Sequence, residues 1–271
     1  MLTIDLAIPT HGPQGLARIE KMLLPPRKDV RYVVSWQNYG DAIIPDSLQK
    51  RDDVAIFTLD KTGVANNRNN AIDHCDADII LMADDDLTYY SDAFDIIINT
   101  FEEDITLDFA IFRVDFIRKK IYPEAGTKLS VPFPKHYYAS NVEIAYRRKS
   151  MPDLRYYPEL GIAAPEMTSG EEELLAIAAV KRGLNCRFID KTICSHPTES
   201  TGDKITPGNL MASGFIIRIL YPISCLPRLV LKAWRVKKNG NGKFFHSLFP
   251  LIKGATRAHR TLPHLPSRYT W

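Results

Sequence analysis

The sequence predicts an α/β fold: a doubly wound, mostly parallel sheet flanked by helices, with a helical, basic C-terminal appendage. Three observations carry this. Apolar runs that read as strands alternate with helical patterns over residues 2–100, the rhythm of a wound sheet rather than a sandwich. One run, Asp78-Ile79-Ile80-Leu81-Met82-Ala83, passes directly into Asp84-Asp85-Asp86, so a buried parallel strand ends in carboxylates where open α/β sheets place their ligands. Charge is divided along the chain. Between Lys204 and Trp271 there are 12 Lys plus Arg and no acid, leaving 23 bases against 32 acids in residues 1–203. The division predicts an acidic body over 1–203 and a basic, partly helical region over 204–271 that meets an anionic surface.

In chain order, Leu2 to Pro9 forms the first strand, and Leu16 to Leu24 a short helix stopped by Pro25-Pro26. Asp29 to Trp36 and Asp53 to Leu59 are the second and third strands. Val64 to His74 has helical spacing behind Gly63, and Asp92 to Thr100 reads as a helix with Ser91 as its candidate N-cap. Beyond Glu103 the strands are mixed: 109–117, 142–148 and a short one at 187–189. Glu171 to Arg182 is a helix closed by Gly183. The four cysteines are scattered without a CxxC pair, which fits a reducing compartment. Asp5 stands where a signal peptide carries bases, so the expected location is the cytoplasm.

Four groups of residues can carry chemistry. Asp84, Asp85 and Asp86 repel one another, and a hard cation such as Mg2+ or Mn2+ offsets that cost; the competing reading is a solvated acidic turn. Arg68 lies on the first turns of the 64–74 helix, where free amides and a fixed cation can hold a phosphate, or where the asparagines merely cap. Glu171-Glu172-Glu173 open the later helix. Two acids suffice for its dipole, worth roughly 0.3–1 kcal/mol each, and a third can accept a proton from an attacking hydroxyl. His196, before Pro197, is a structural histidine, a metal ligand or a hydrogen-bond donor to a diphosphate.

These pieces, in this order, resemble the family-2 inverting glycosyltransferases. The likeness rests on Ile8-Pro9-Thr10, Gly63 to Ile72, Leu81-x-x-Asp84-Asp85-Asp86, Gly170-Glu171-Glu172 ahead of Gly183, and His196-Pro197. Members that assemble bacterial polysaccharides also show segments like Tyr146-Arg147-Arg148-Lys149-Ser150-Met151 and Thr198-Glu199-Ser200-Thr201-Gly202. The resemblance implies the GT-A fold and a nucleotide-sugar donor, foremost a UDP-sugar. Pro9, Thr10, Trp36 and Gln37 would bracket the nucleoside, with Arg68, Asp84 and Asp85 on the donor. Asp86 and Asp84, with His196, would hold Mn2+ or Mg2+, and Glu172 would be the base, with Glu171 its rival. The acceptor would be a glycan or a lipid-linked precursor. Two departures stand out: Ser35-Trp36-Gln37-Asn38 lacks the acid that reads the base, and Glu-Glu replaces Glu-Asp. A Mg2+-dependent nucleotidyltransferase and a non-catalytic carbohydrate- or lipid-binding adaptor are the alternatives.

In the tail, Leu226, Leu229, Val230, Ala233 and Trp234 share one helical face, with Arg228, Lys232 and Arg235 to other sides. This is the pattern of an interfacial helix on an anionic membrane, peripheral to the inner face of the plasma membrane. Packing on the body or on another subunit is the competing reading. Nucleic acid is not expected, because no binding motif accompanies the charge.

Overall fold

The computed structural model describes residues 1–134, 137–197 and 205–271. The chain divides into two compact units, one of residues 1–62, 66–152 and 179–199, the other of 63–65, 153–178 and 200–271. The expected boundary at 203/204 falls outside the described residues, as does the 198–202 motif.

The first unit is built on one eight-stranded sheet, in the order β3-β2-β1-β4-β7-β6-β8-β5. Its elements are β1 (Ile4–His11), α1 (Gly15–Met22), β2 (Val30–Gln37), a single turn α2 (Asp46–Gln49), β3 (Val54–Leu59), α3 (Val64–Asp73, begun in the second unit), β4 (Ile79–Met82), β5 (Thr88–Tyr89), α4 (Ala93–Glu103), β6 (Phe109–Phe116), β7 (Ile144–Arg147) and β8 (Cys186–His196). β3, β2, β1 and β4 are parallel, as are β6 and β8, while β7 and β5 run antiparallel to their neighbours. β4 is buried throughout and β1 up to Thr10, which requires cover on both faces. α4 supplies part of that cover, burying Phe94, Ile97, Ile98 and Phe101 on one stripe.

Several expected boundaries move, each for a local reason. β1 runs to His11 because Thr10 and His11 still pair with Trp36 and Gln37. The short strand at 187–189 becomes the eleven-residue β8. Phe112 pairs with Ile189 but Arg113 with Thr192, so Asp190 and Lys191 are taken up as a bulge. His196 is therefore the last residue of a strand rather than a residue past it. The strand expected at 142–148 shortens to β7, because Asn141–Glu143 form a 3-10 turn closed by a capping box with Ser140. α4 is preceded by Asp92, not Ser91, and no side chain caps it; the Ala93 amide bonds the Tyr90 carbonyl at 3.1 Å instead.

The Tyr146–Met151 segment has a structural task. Arg147, 6% exposed, donates to the Phe101 carbonyl in the last turn of α4 and to the Asp104 and Leu107 carbonyls beyond it, and Arg148 donates to the Ala77 carbonyl. A buried guanidinium here satisfies helix-end carbonyls that would otherwise lack partners.

The helix α5 (Glu171–Lys181) ends as expected at Gly183, whose φ is +81°. Its amide bonds the Val180 carbonyl while Leu184 bonds Ala179, a Schellman closure.

In the second unit, α6 (Pro207–Leu220), α7 (Cys225–Lys238) and α8 (Phe244–Thr261) make up the basic tail. α6 and α8 cross backbone to backbone. A β-carbon at Gly214 would lie 2.0 Å from the Leu251 carbonyl oxygen, and one at Gly254 1.8 Å from that of Met211, so neither position admits a side chain. α7 packs through Leu229, Ala233 and Val236 on a core shared with Leu251 and Ala255. The five-residue face expected on α7 is thus divided. Leu229 and Ala233 are buried, while Leu226, Val230 and Trp234 are exposed. Among the described residues no helix is long and apolar enough to cross a membrane.

Candidate active site

In the first unit the C-terminal ends of β1, β2 and β4 bring the predicted residues together. Thr10, fully buried, donates from Oγ1 to Asp85 Oδ2 at 2.5 Å. Arg18 of α1 closes on the same oxygen from Nε at 2.8 Å and also donates to the His11 carbonyl at 2.7 Å. Gly15 permits this arrangement: a β-carbon there would lie 2.6 Å from Thr10 Oγ1 and 2.9 Å from Trp36 Nε1. Trp36 donates to the Gly12 carbonyl at 2.8 Å and Gln37 to that of Lys61, so both pin loops. Pro9, opposite Ser35, lies beyond the last β1–β4 pair, Ala7 with Met82, where a missing amide costs least.

α3 buries Asn67 and Arg68 rather than exposing them. Asn67 Nδ2 donates to the Thr10 carbonyl at 2.8 Å, and its buried Oδ1 has no partner among the described residues. Arg68 Nη2 donates to Asp84 Oδ1 at 3.2 Å. Asn141 joins it, donating from Nδ2 to the same oxygen at 3.1 Å and to the Ala83 carbonyl at 3.0 Å. His196 Nε2 stands 3.6 Å from Asp86 Oδ1 and 3.9 Å from Asp84 Oδ2, close for electrostatics but beyond a hydrogen bond. The carboxylates are distinguished by their surroundings: Asp85 bonds Thr10 and Arg18, Asp84 bonds Arg68 and Asn141, and Asp86 is the nearest of them to His196.

Glu171 and Glu172 belong to the second unit, on the first turn of α5. Glu171 is buried, and its carboxyl packs beneath Gly161, where a β-carbon would lie 2.8 Å from Cδ and 2.7 Å from Val64 Cγ1. Glu172 and Glu173 are half-buried. Burial pushes the Glu173 carboxyl up to about 7, opposed by the charge of Lys232 on α7. Burial also lowers Lys232, against the pull of Glu173.

A stability consequence follows from that shift. The folded state holds the Glu173 proton more tightly than the unfolded chain, so stability falls as pH rises from about 4.5 to about 7. Glu173→Gln is expected to flatten this part of the pH profile and to raise Tm at pH 8 more than at pH 5. Parallel profiles for the two proteins by differential scanning fluorimetry would refute it.

The glycosyl transferase family 2 profile matches residues 36–172, half of the chain. The chain belongs to glycosyl transferase family 2. Among solved structures it is similar to the Staphylococcus aureus enzyme TarS. The 1–349 fragment of TarS aligns at TM-score 0.59 and 14% identity over 97% of this chain and 91% of that one. The same fragment with UDP gives 0.57 and 14% over 81% and 67%, and with UDP-GlcNAc 0.56 and 13% over 81% and 68%. The chain spans 40% of the longer TarS chain. At these identities the likeness establishes the GT-A fold. No curated protein matches the chain.

Asp84, Asp86 and His196 are the groups whose chemistry bears on a metal. Carboxylate oxygens and an imidazole suit Mn2+ or Mg2+. Among the described residues, however, no three such groups converge on a point where the protein alone could hold an ion. Their chemistry is that of ligands which share a metal with substrate phosphates and water. Arg18 and Asn141 are the residues sequence reasoning missed. Arg18 lies on the amphipathic α1 and Asn141 follows a loop without periodicity, so neither carries a spacing signal.

Proposed function

We propose that the protein transfers a sugar from a nucleotide-sugar donor, a UDP-sugar first, to an acceptor hydroxyl with inversion, in polysaccharide or lipid-linked glycan assembly. One observation carries the reading: the family-2 match spans Arg68, Asp84–Asp86 and Glu172, and the structure gathers Arg68, Asn141 and His196 around those aspartates. TarS structures with UDP and UDP-GlcNAc support the donor class.

Thr10, Trp36 and Gln37 shape the loop that receives the nucleoside, and Arg68 sets a fixed cation beside Asp84. Asp86 and Asp84, with His196, would hold Mn2+ or Mg2+ against the donor diphosphate; once bound, the ion offsets charge on the departing phosphate. Glu172 takes the proton of the acceptor hydroxyl as that oxygen bonds the anomeric carbon. The bond to the diphosphate oxygen breaks, and its electron pair leaves with the nucleoside diphosphate. The basic region attaches at the cytoplasmic face of the membrane, where a lipid-linked acceptor would be presented.

The test is thermal stabilisation by UDP-, GDP- and dTDP-sugars with and without Mn2+ or Mg2+, since a ligand bound only by the folded state raises Tm. A UDP-sugar is expected to raise Tm by several degrees only when metal is present. If no nucleotide sugar shifts Tm with either ion, the reading fails. Metal-dependent hydrolysis of the stabilising donor would separate an enzyme from a non-catalytic scaffold.

A further inference from the structure

The second unit contains a cavity of about 600 Å3 lined by none of the residues assigned above to transfer. Its walls are Pro207, Gly208 and Met211 of α6 with Phe245, Phe249 and Pro250 of α8. His246, Lys253 and Glu166 form the polar edge. The volume lies within the range of small-molecule sites, and the lining is mainly apolar, as such sites are.

Three features indicate what occupies it. First, Phe245 and Phe249 are 76% and 73% exposed. Two phenyl rings one helical turn apart, left in water beside an apolar hollow, carry a large solvation cost unless something covers them. Second, Pro250 sits inside α8 and has no N–H to give the His246 carbonyl. The helix is therefore weakened at the cavity wall, which suits a site that must admit a chain. Third, the surroundings are basic: residues 204–271 carry 12 Lys plus Arg and no acid. Lys253 and Arg257 do bind Glu166, and Arg257 also binds Glu159, which fixes α8 to the 153–178 segment. Arg228, Arg235, Lys237 and Lys238 on α7 remain on the surface beside Leu226, Val230 and Trp234, themselves 63%, 40% and 48% exposed. An apolar cavity between two helices that carry bases and no acid is complementary to a molecule with a hydrocarbon chain and an anionic head.

We propose that the α6–α8 cavity receives a hydrocarbon chain of an anionic membrane lipid, with Phe245 and Phe249 inserting beside it. This deepens the membrane attachment proposed above: the bases bring the protein to the bilayer and the cavity retains it.

The test uses the full chain with phosphatidylcholine vesicles containing either no phosphatidylglycerol or about one third. Wild type is expected to sediment with the anionic vesicles. Phe245→Ser/Phe249→Ser should weaken that partitioning by about tenfold or more, with Tm unchanged because both rings are exposed. Monomeric dihexanoylphosphatidylglycerol is expected to raise the Tm of wild type and not of the double variant. If wild type binds and the double variant binds equally well, the cavity proposal is overturned while attachment through the bases stands. If wild type does not bind anionic vesicles, both are overturned. If the double variant instead turns a dimer into a monomer by light scattering with vesicle binding intact, the face belongs to a second copy and the proposal is again overturned.

Discussion

Glu172→Gln is expected to lower the turnover of sugar transfer by about 10^2–10^4-fold and to leave metal-dependent donor binding within a factor of about two. The amide keeps the size and hydrogen-bonding reach of the side chain but cannot accept the hydroxyl proton. Its neighbours on α5 are distinguished by their surroundings. Glu171 is buried with its carboxyl tight beneath Gly161, which fixes it in the packing of that turn. Glu173 interacts with Lys232 and holds its proton to about pH 7, so it is partly neutral where a base must be ionised. Glu171→Gln should therefore cost stability first, and Glu173→Gln should shift the pH profile with little loss of maximal rate. The measurement is kcat with the stabilising donor beside donor affinity by titration calorimetry. A Glu172→Gln enzyme with near-wild-type turnover would remove this residue from the role of base and reopen it for Glu171 and Glu173.

The sheet was readable from sequence because its central strands are long apolar runs and its wound half connects through local helical patterns. The Asp84–Asp86 candidate was legible for a related reason: three carboxylates crowded at the end of a buried strand repel one another, a cost that needs offsetting. What surrounds them was not. Arg18 and Asn141 reach Asp85 and Asp84 across 67 and 57 residues of chain, and no periodicity encodes a contact made by folding at that distance. The tail shows the converse limit. Helical spacing placed Leu226, Leu229, Val230, Ala233 and Trp234 on one face, but the seam against α8 runs along Leu229, Ala233 and Val236 and divides them. An amphipathic wheel gives the width of an apolar face and not which half of it a neighbour covers.

The largest loss of stability is expected from unpairing Lys120 and Glu143, whose side chains are 5% and 0% exposed. Lys120 Nζ lies 2.7 Å from Glu143 Oε1 and donates to Ser140 Oγ at 2.9 Å. Tyr122 and Tyr137 donate their hydroxyls to the two Glu143 oxygens at 2.7 and 3.2 Å, and the Ser140 amide donates at 2.9 Å. The rings of Tyr138, Tyr137, Phe116 and Tyr122 stand 4.3–5.7 Å from the ammonium, within cation–π range. Burial, reinforced by the Glu143 charge, holds both phenols well above the usual tyrosine range, so they remain donors at any working pH. Glu143→Gln or Lys120→Met alone strands one charge in this enclosure and should cost about 3–5 kcal/mol, whereas the double variant should recover much of that, since apolar replacement of a buried pair is often near neutral. The cluster also bears on the site, because Glu143 ends the turn that begins at Asn141, the residue bonded to Ala83 and Asp84. A stable double variant should therefore bind the donor more weakly in the presence of metal even though it folds. Urea denaturation of the four proteins of the cycle supplies the coupling energy. Single variants that each cost under about 1 kcal/mol would mean that the enclosure is wetter than its burial implies and that Asn141 is held by its own two hydrogen bonds alone.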